Sequence, residues 1–385
     1  MIKNKGDSVV VGTVRNVYNL LSYGVVGKSV CRMWESCTLA FPCSVNGLFH
    51  DGIASYTHFH GACLLVFSSF VRNSVVLAVY LLFSVACFFT VHEHYFNECT
   101  VNNRIHIYSV TKSIVSVLVG IAMDKGYIQT LDQKVLDFFP EYEIKKREKT
   151  IQNITLRNLL TMTAPYKYKL NPYIKYFTSD DWVKFSLDLL GGKGRVGKFR
   201  YTPLIGPDIV SGILGKATGQ SVINFAQENL FAPLGIAVEK NIIFHSKEEQ
   251  LAFNQATNIS GWVADPMGVN TAGWGLTLSP IDMAKIGQLC LNHGTWNHKQ
   301  IVSAKWINES TKEHSRWETH NLPYGYLWWI HKDGFAAMGD GGNTIYVNKE
   351  KNMVISIASL FRPKAKDRME LIQKYIEPLF ENCVY

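Results

Sequence analysis

The stretch SVTKSIVSVLVGIAMD, residues 109–124, decides how the rest of the chain is read. It is apolar around its whole circumference, so it predicts a mostly buried helix rather than a surface one. Gly126 closes it. Ser109 opens the helix, and Lys112 lies one turn along on the same face. A serine hydroxyl is a poor nucleophile until something takes its proton. The positive end of a helix dipole favours an oxyanion and disfavours an ammonium. Burial pushes a lysine further toward its neutral, basic form. The spacing therefore places a candidate nucleophile and a candidate base on one rigid element. Ser-x-x-Lys is a weak motif alone, and a capping serine beside a surface lysine is its commoner meaning. Here Ser109 begins the only such match in the chain.

Working outward, further helix signals follow. Thr155 caps LRNLLTM, and Ser179 precedes DDWVKFSLDLL, where Asp180 and Asp181 suit the helix N-terminus. Residues 208–218 and 221–230 read as two helices split by Gly219. Ser279-Pro280 opens IDMAKIGQLCL, and Ser303 opens AKWINEST. Beyond residue 325 the period changes to that of strands: 326–330, 335–338, 343–347 and 353–359. Turns are expected at Asp333-Gly334 and across 348–352, and a last helix over 364–380. The pattern predicts an α+β fold, an antiparallel sheet flanked by helices with a helical insertion.

Composition shifts near residue 92, so the chain divides into an atypical segment, 1–91, and a main domain, 92–385. SVVLAVYLLFSVACFFTV, residues 74–91, carries no charge and just reaches membrane-spanning length. Basic residues ahead of it would keep that side in the cytoplasm and place the main domain outside. Its Val, Phe and Tyr content equally suits a buried strand pair in a cytoplasmic protein. Both readings stand at this point. The stretch HEHYFN, residues 92–97, looks like a strand end.

The 385 residues are 47% hydrophobic and 18% charged, with a net charge of +8, which predicts a packed core and excludes extended disorder. No basic stripe interleaved with aromatics occurs, so nucleic acid is not an expected partner. The eight cysteines include no C-x-x-C pair. His58-x-His60 and His92-x-His94 lack a third ligand at a telling distance, so no metal is expected.

The segments YSVTKSIVSVLVGIAMDKGYI, LDQKVLDFFPEY, ITLRNLLTMTA, FRYTPLIGPDIVSGILGKATGQ, AGWGLTLSPIDMAKIGQLCL, YGYLWWI and MGDGGNTIYV, in that order, resemble the serine β-lactamase-related hydrolases. That family holds class C β-lactamases, penicillin-binding proteins and D-alanyl-D-alanine carboxypeptidases, carboxylesterases and 6-aminohexanoate-dimer hydrolases. The resemblance covers about residues 92–385. It implies Ser109 as nucleophile, Lys112 as its base, and Tyr201 of Tyr201-Thr202-Pro203 as the relay of the family's Tyr-x-Asn motif. Proline replaces the asparagine, so no side-chain amide is available at position 203. The third motif, Lys or His followed by Ser/Thr and Gly, has no literal match. Its candidate is Gly339-Asp340-Gly341-Gly342, where glycine fits close backbone approach to substrate. The N–H of the residue after Met338 or Gly339, with that of Ser109, would then form an oxyanion hole. Tyr166, where family members carry pocket loops, is a further candidate substrate contact. The family also implies a strand pair upstream of the nucleophile.

The resulting expectation is a serine hydrolase, cofactor-free, acting on a small-molecule ester or amide through an acyl-enzyme at Ser109. The alternatives are a β-lactamase or D,D-peptidase, and a catalytically silent, membrane-tethered binding module of the same fold.

Overall fold

The computed structural model describes residues 9–16, 45–49, 52–59, 62–71, 74–79, 88–95, 99–145, 148–361 and 367–380. Its centre is an eight-stranded sheet whose neighbours are all antiparallel. The spatial order is Ser315–Trp317, Leu322–Tyr324, Trp329–His331, Gly334–Gly339, Asn343–Asn348, Met353–Ser359, Val9–Asn16 and Phe88–His94. The three strands from 334 to 359 form the meander that the period-2 pattern predicts. His331 pairs with Gly334 across the Lys332-Asp333 turn, and Asn348 pairs with Met353 across the next.

Alternation along these strands loads both faces of the sheet. Phe335, Ala337, Ile345, Val347 and Val354 point into the main core. Ala336, Tyr346, Met353, Ile355 and Ile357 point the other way, onto Met369, Ile372 and Phe380 of the C-terminal helical segment. The helix Val110–Asp124 fills the main core. Its residues from Val110 to Ala122 are all buried, as its all-round apolar surface requires. It packs on Gly334–Gly339, on the helix Ile205–Thr218 and on Ala304–Ser310. Pro280–Leu291 covers the strands on either side of Met353–Ser359. Its capping box, Ser279 with Asp282, and its proline match the sequence signal.

The two upstream strands lie together at one end of the sheet. Val9–Asn16 pairs with Met353–Ser359 from Val9↔Ser359 to Arg15↔Met353, and on its other side with Phe88–His94. The compositional break at residue 92 is therefore no boundary of the sheet, which takes a strand from the far end of segment 1–91. Between these strands, Val45–Phe49, Gly52–Phe59, Ala62–Val71 and Ser74–Val79 form a separate four-stranded antiparallel sheet.

A membrane-spanning helix at Ser74–Val91 is not supported. Ser74–Val79 and the residues from Phe88 on are extended strand, and 80–87 lie outside the described residues. Among the described residues no helix is long and apolar enough to cross a membrane. β-branched and aromatic residues such as Val75, Val76, Phe88 and Phe89 suit a pleated surface, which is the physical reason the same letters read either way.

Smaller departures are local. The expected helix 208–218 begins earlier, at Ile205. The strand expected over 326–330 is Trp329–His331, because Leu327 has φ of 62°, which no strand accommodates.

Candidate functional site

Ser109 sits at the junction between Ile105–His106 and the helix Val110–Asp124. Tyr108 turns the chain there with φ of 49°, a left-handed conformation uncommon outside glycine and typical of sites where geometry is enforced. The His106 ring braces it, stacked with its centroid 3.9 Å from that of Tyr108. Ser109 occupies the helix N-cap position but makes no side-chain capping bond. Its hydroxyl instead accepts from Lys112 Nζ at 2.6 Å.

Lys112 is 2% exposed and ends one turn inside the helix. Its ammonium also donates to the Gly273 carbonyl at 2.8 Å. Burial lowers its pKa to about 7, against the opposing pull of the Asp340 and Asp208 carboxylates. A lysine at that value is half neutral near neutral pH and can accept a proton from the hydroxyl it touches.

Tyr201 lies on the loop that leads into Ile205–Thr218. Its hydroxyl lies close enough to Ser109 for the two to influence each other's protons, and its ring packs between Trp317, centroids 5.9 Å apart at 8°, and Trp329 at 5.5 Å. Lys112 Nζ is 5.6 Å from the ring centroid. Burial pushes the phenol up to about 12, the Ser109 hydroxyl opposing. Tyr201 is thus a phenol at rest, a donor rather than a resting base.

The opposite wall is backbone. A Cβ added to Gly339 would stand 2.5 Å from the Ile107 carbonyl, 3.1 Å from Ser109 N and 3.2 Å from Val110 N. Only glycine lets the strand end approach the helix N-terminus this closely. Gly341 and Gly342 follow with φ of 76° and 92°. Asn343 fixes this turn, donating from Nδ2 to the carbonyls of Asp340 and Ser359, both at 2.8 Å. Asp340 is exposed, and its charge raises the proton affinity of Lys112, Tyr201 and Tyr108, so it stands at the mouth of the site.

The structure brings Ser109, Lys112, Tyr201 and Gly339 together, with Asp340 beside them and Gly341 and Gly342 in the turn that follows, against Leu360, Phe361 and Arg368. Tyr166 is placed differently. It is buried, its hydroxyl lies beside Thr202 and Gly206, and Arg200 donates to its backbone carbonyl at 2.7 Å. Its hydroxyl packs against the segment that follows Tyr201. Sequence reasoning missed Gly273, Asp208, Trp317 and Tyr108. No motif marks a backbone acceptor, and Asp208 reads as an ordinary first-turn acid. Among the described residues no group of three or more His, Cys, Asp or Glu side chains could hold a metal.

The family model Beta-lactamase matches residues 90–376. A search of curated proteins finds no match to the chain. Solved structures with a similar fold include a Bacillus anthracis protein assigned as a 6-aminohexanoate-dimer hydrolase, at TM-score 0.59 and 19% identity, covering 76% of each chain. A penicillin-binding protein homologue from Caulobacter crescentus aligns at TM-score 0.55 and 15% identity, over 70% of this chain and 80% of its own. A family VIII carboxylesterase aligns at 0.51 and 17%, over 69% and 79%. At these identities the likenesses show the fold, whereas the matched model spans most of the sequence. The chain belongs to the beta-lactamase family of serine hydrolases.

Proposed function

We propose that the protein hydrolyses esters or small amides through an acyl-enzyme on Ser109. The observation that carries this reading is the 2.6 Å contact between Lys112 Nζ and Ser109 Oγ, made by a lysine that burial leaves substantially neutral. Neutral Lys112 takes the hydroxyl proton as Oγ attacks the carbonyl carbon. The oxyanion is held by the N–H of Ser109 and an N–H from the Gly339-Asp340 strand end. As the carbon–oxygen or carbon–nitrogen bond breaks, Tyr201 gives its phenol proton to the leaving group. Lys112 returns its proton to Tyr201. Water then attacks the acyl group, its proton passing to neutral Lys112 directly or through Tyr201, which hands its own phenol proton to the lysine as it accepts; Lys112 returns a proton to Ser109 Oγ as the acyl bond breaks, and Ser109 is regenerated.

Asp340 argues for the substrate class. Penicillins and D-alanyl peptides carry a carboxylate beside the scissile carbonyl, which calls for a fixed cation or hydroxyl pair. This site offers an acid at its mouth, felt by all three neighbouring side chains, and proline at 203. Like charge there disfavours such ligands. The test is steady-state hydrolysis by the full chain of a short-chain nitrophenyl ester beside nitrocefin. The ester is expected to show the higher kcat/KM. Higher efficiency on nitrocefin would overturn the substrate class, and hydrolysis of neither would favour the silent binding module.

A further inference from the structure

Proline at 203 leaves open what holds Lys112 in place of a side-chain amide. The structure shows a backbone carbonyl, that of Gly273, and a built support behind it. Asp208 is 2% exposed, and one of its carboxylate oxygens accepts from Ala272 N at 2.8 Å and Gly273 N at 3.1 Å. Tyr176, fully buried, donates its hydroxyl to the other oxygen. From the far side of the same loop, His106 Nε2 accepts from Gly275 N at 3.0 Å, and Trp262 Nε1 donates to the Thr271 carbonyl at 2.7 Å. A Cβ on Gly273 would run into the Pro203 carbonyl and stand 3.0 Å from Leu204 Cα, so the loop lies directly against the Tyr201 segment.

We infer that Asp208 is a positioning residue, fixing the Gly273 peptide so that its carbonyl holds Lys112 on Ser109 and supplying the buried negative charge that balances the ammonium. The inference rests on the proposed roles of Ser109 and Lys112. The groups facing Lys112 are Ser109 on its own helix, Tyr201 from the preceding loop, the Gly273 carbonyl, Asp208 behind it, and Asp340 from the strand end. His106, with burial lowering its pKa to about 3, is neutral and adds no charge. Asp208 itself is raised to about 6 by burial, opposed by its three hydrogen bonds, and so is mainly ionised at neutral pH. Without that charge, the cationic form of Lys112 has less to stabilise it, and its pKa falls.

Asp208→Asn separates charge from geometry. Its amide oxygen can still accept from the two backbone N–H groups, while the charge is gone. The direct readout is the titration of Lys112 in the full chain, followed by NMR of lysine labelled with ¹³C at Cε and assigned by the signal lost in Lys112→Ala. This reading needs no turnover, so a chain that hydrolyses no ester would sink the hydrolase proposal and leave this test intact. The expected midpoint in Asp208→Asn is lower by about one unit. Tyr176→Phe, which removes one bond to the carboxylate and raises its proton affinity, should move Lys112 the same way by less. If Asp208→Asn does not fold, the sign in Tyr176→Phe decides. A Lys112 midpoint that is unchanged or raised overturns the inference. With an ester substrate, Asp208→Asn should lower kcat about tenfold with KM nearly constant. A tenfold rise in KM with kcat unchanged would mark Asp208 as a substrate contact instead.

Discussion

The two walls of the site are built on opposite plans. The helix wall is buried and made of side chains. Lys112 is 2% exposed and bonded both to Ser109 and to a carbonyl that a buried carboxylate supports. The strand wall is open and made of backbone, with an exposed Asp340 among glycines that admit close approach. Low dielectric strengthens every interaction on the first wall and lowers the proton affinity of its lysine, which suits the base proposed for it. Solvent weakens those on the second, which leaves it the work of choosing what enters. The helix wall should therefore govern rate and the strand wall selectivity.

Substitutions that respect this division sharpen it, beginning with the largest effect. Ser109→Ala should lower ester kcat by on the order of 10⁴-fold or more, because nucleophile and base act as a unit. Its melting temperature should stay within about 2 °C of the parent by calorimetry. Ser109 makes no capping bond in the structure, so nothing of that kind is lost. Lys112→Ala should cost about 10³-fold in kcat. Near-normal turnover would reassign the base. In the parent, kcat/KM should fall on the acid side with a midpoint near 7, where Lys112 becomes protonated.

On the strand wall, Gly339→Ala forces a Cβ against backbone atoms of Ile107, Ser109 and Val110. A loss of about tenfold or more in kcat, with secondary structure retained by circular dichroism, is expected from the displaced oxyanion donor. An unchanged rate would separate this strand end from the reaction. Asp340→Asn should raise nitrocefin kcat/KM several-fold, on the order of 3- to 10-fold, relative to the ester, and added salt should shrink the gap between parent and variant. Equal effects on both substrates would refute the selectivity role.

The smallest effect is on stability. In the folded chain Lys112 loses its proton near pH 7, whereas the unfolded chain binds it up to its ordinary pKa. The unfolded state therefore binds more protons between pH 7 and about 10.5, and stability rises with pH across that window. Lys112→Met should accordingly stabilise the chain by roughly 1 kcal/mol or more at pH 7, with a smaller gain near pH 10. Urea melts at both pH values check it. A destabilised variant at pH 7 would mean that the hydrogen bonds outweigh the cost of burial.

Much of the main domain is legible in the sequence because its signals are local. Ser279-Pro280 and Thr155 cap the helices they announce, and the 353–359 strand has the expected bounds. Ser109 and Lys112 stand out in the sequence through their spacing and helix context, and Tyr201 through the family resemblance; the structure sets all three close together. What escaped is non-local. Val9–Asn16 joins the sheet far from its neighbours in sequence, at Met353–Ser359 and Phe88–His94, and nothing in VVVGTVRN names those partners. Asp208 meets Ala272 and Gly273 across more than sixty residues, through backbone N–H groups that every residue carries. The packing of Tyr166 against Thr202 and Gly206 is hidden for a related reason: position in a loop does not tell which side of that loop a ring packs against.

The central claim, that Ser109 is a nucleophile activated by Lys112, is tested most directly by reaction of the full chain with a fluorophosphonate, followed by intact-mass and peptide mass spectrometry. A single adduct is expected on the peptide holding Ser109, absent from Ser109→Ala, formed at least about 10²-fold more slowly by Lys112→Ala, and slowing in the parent as pH drops below 7. No adduct on a folded parent chain, or an adduct that persists in Ser109→Ala, would contradict it.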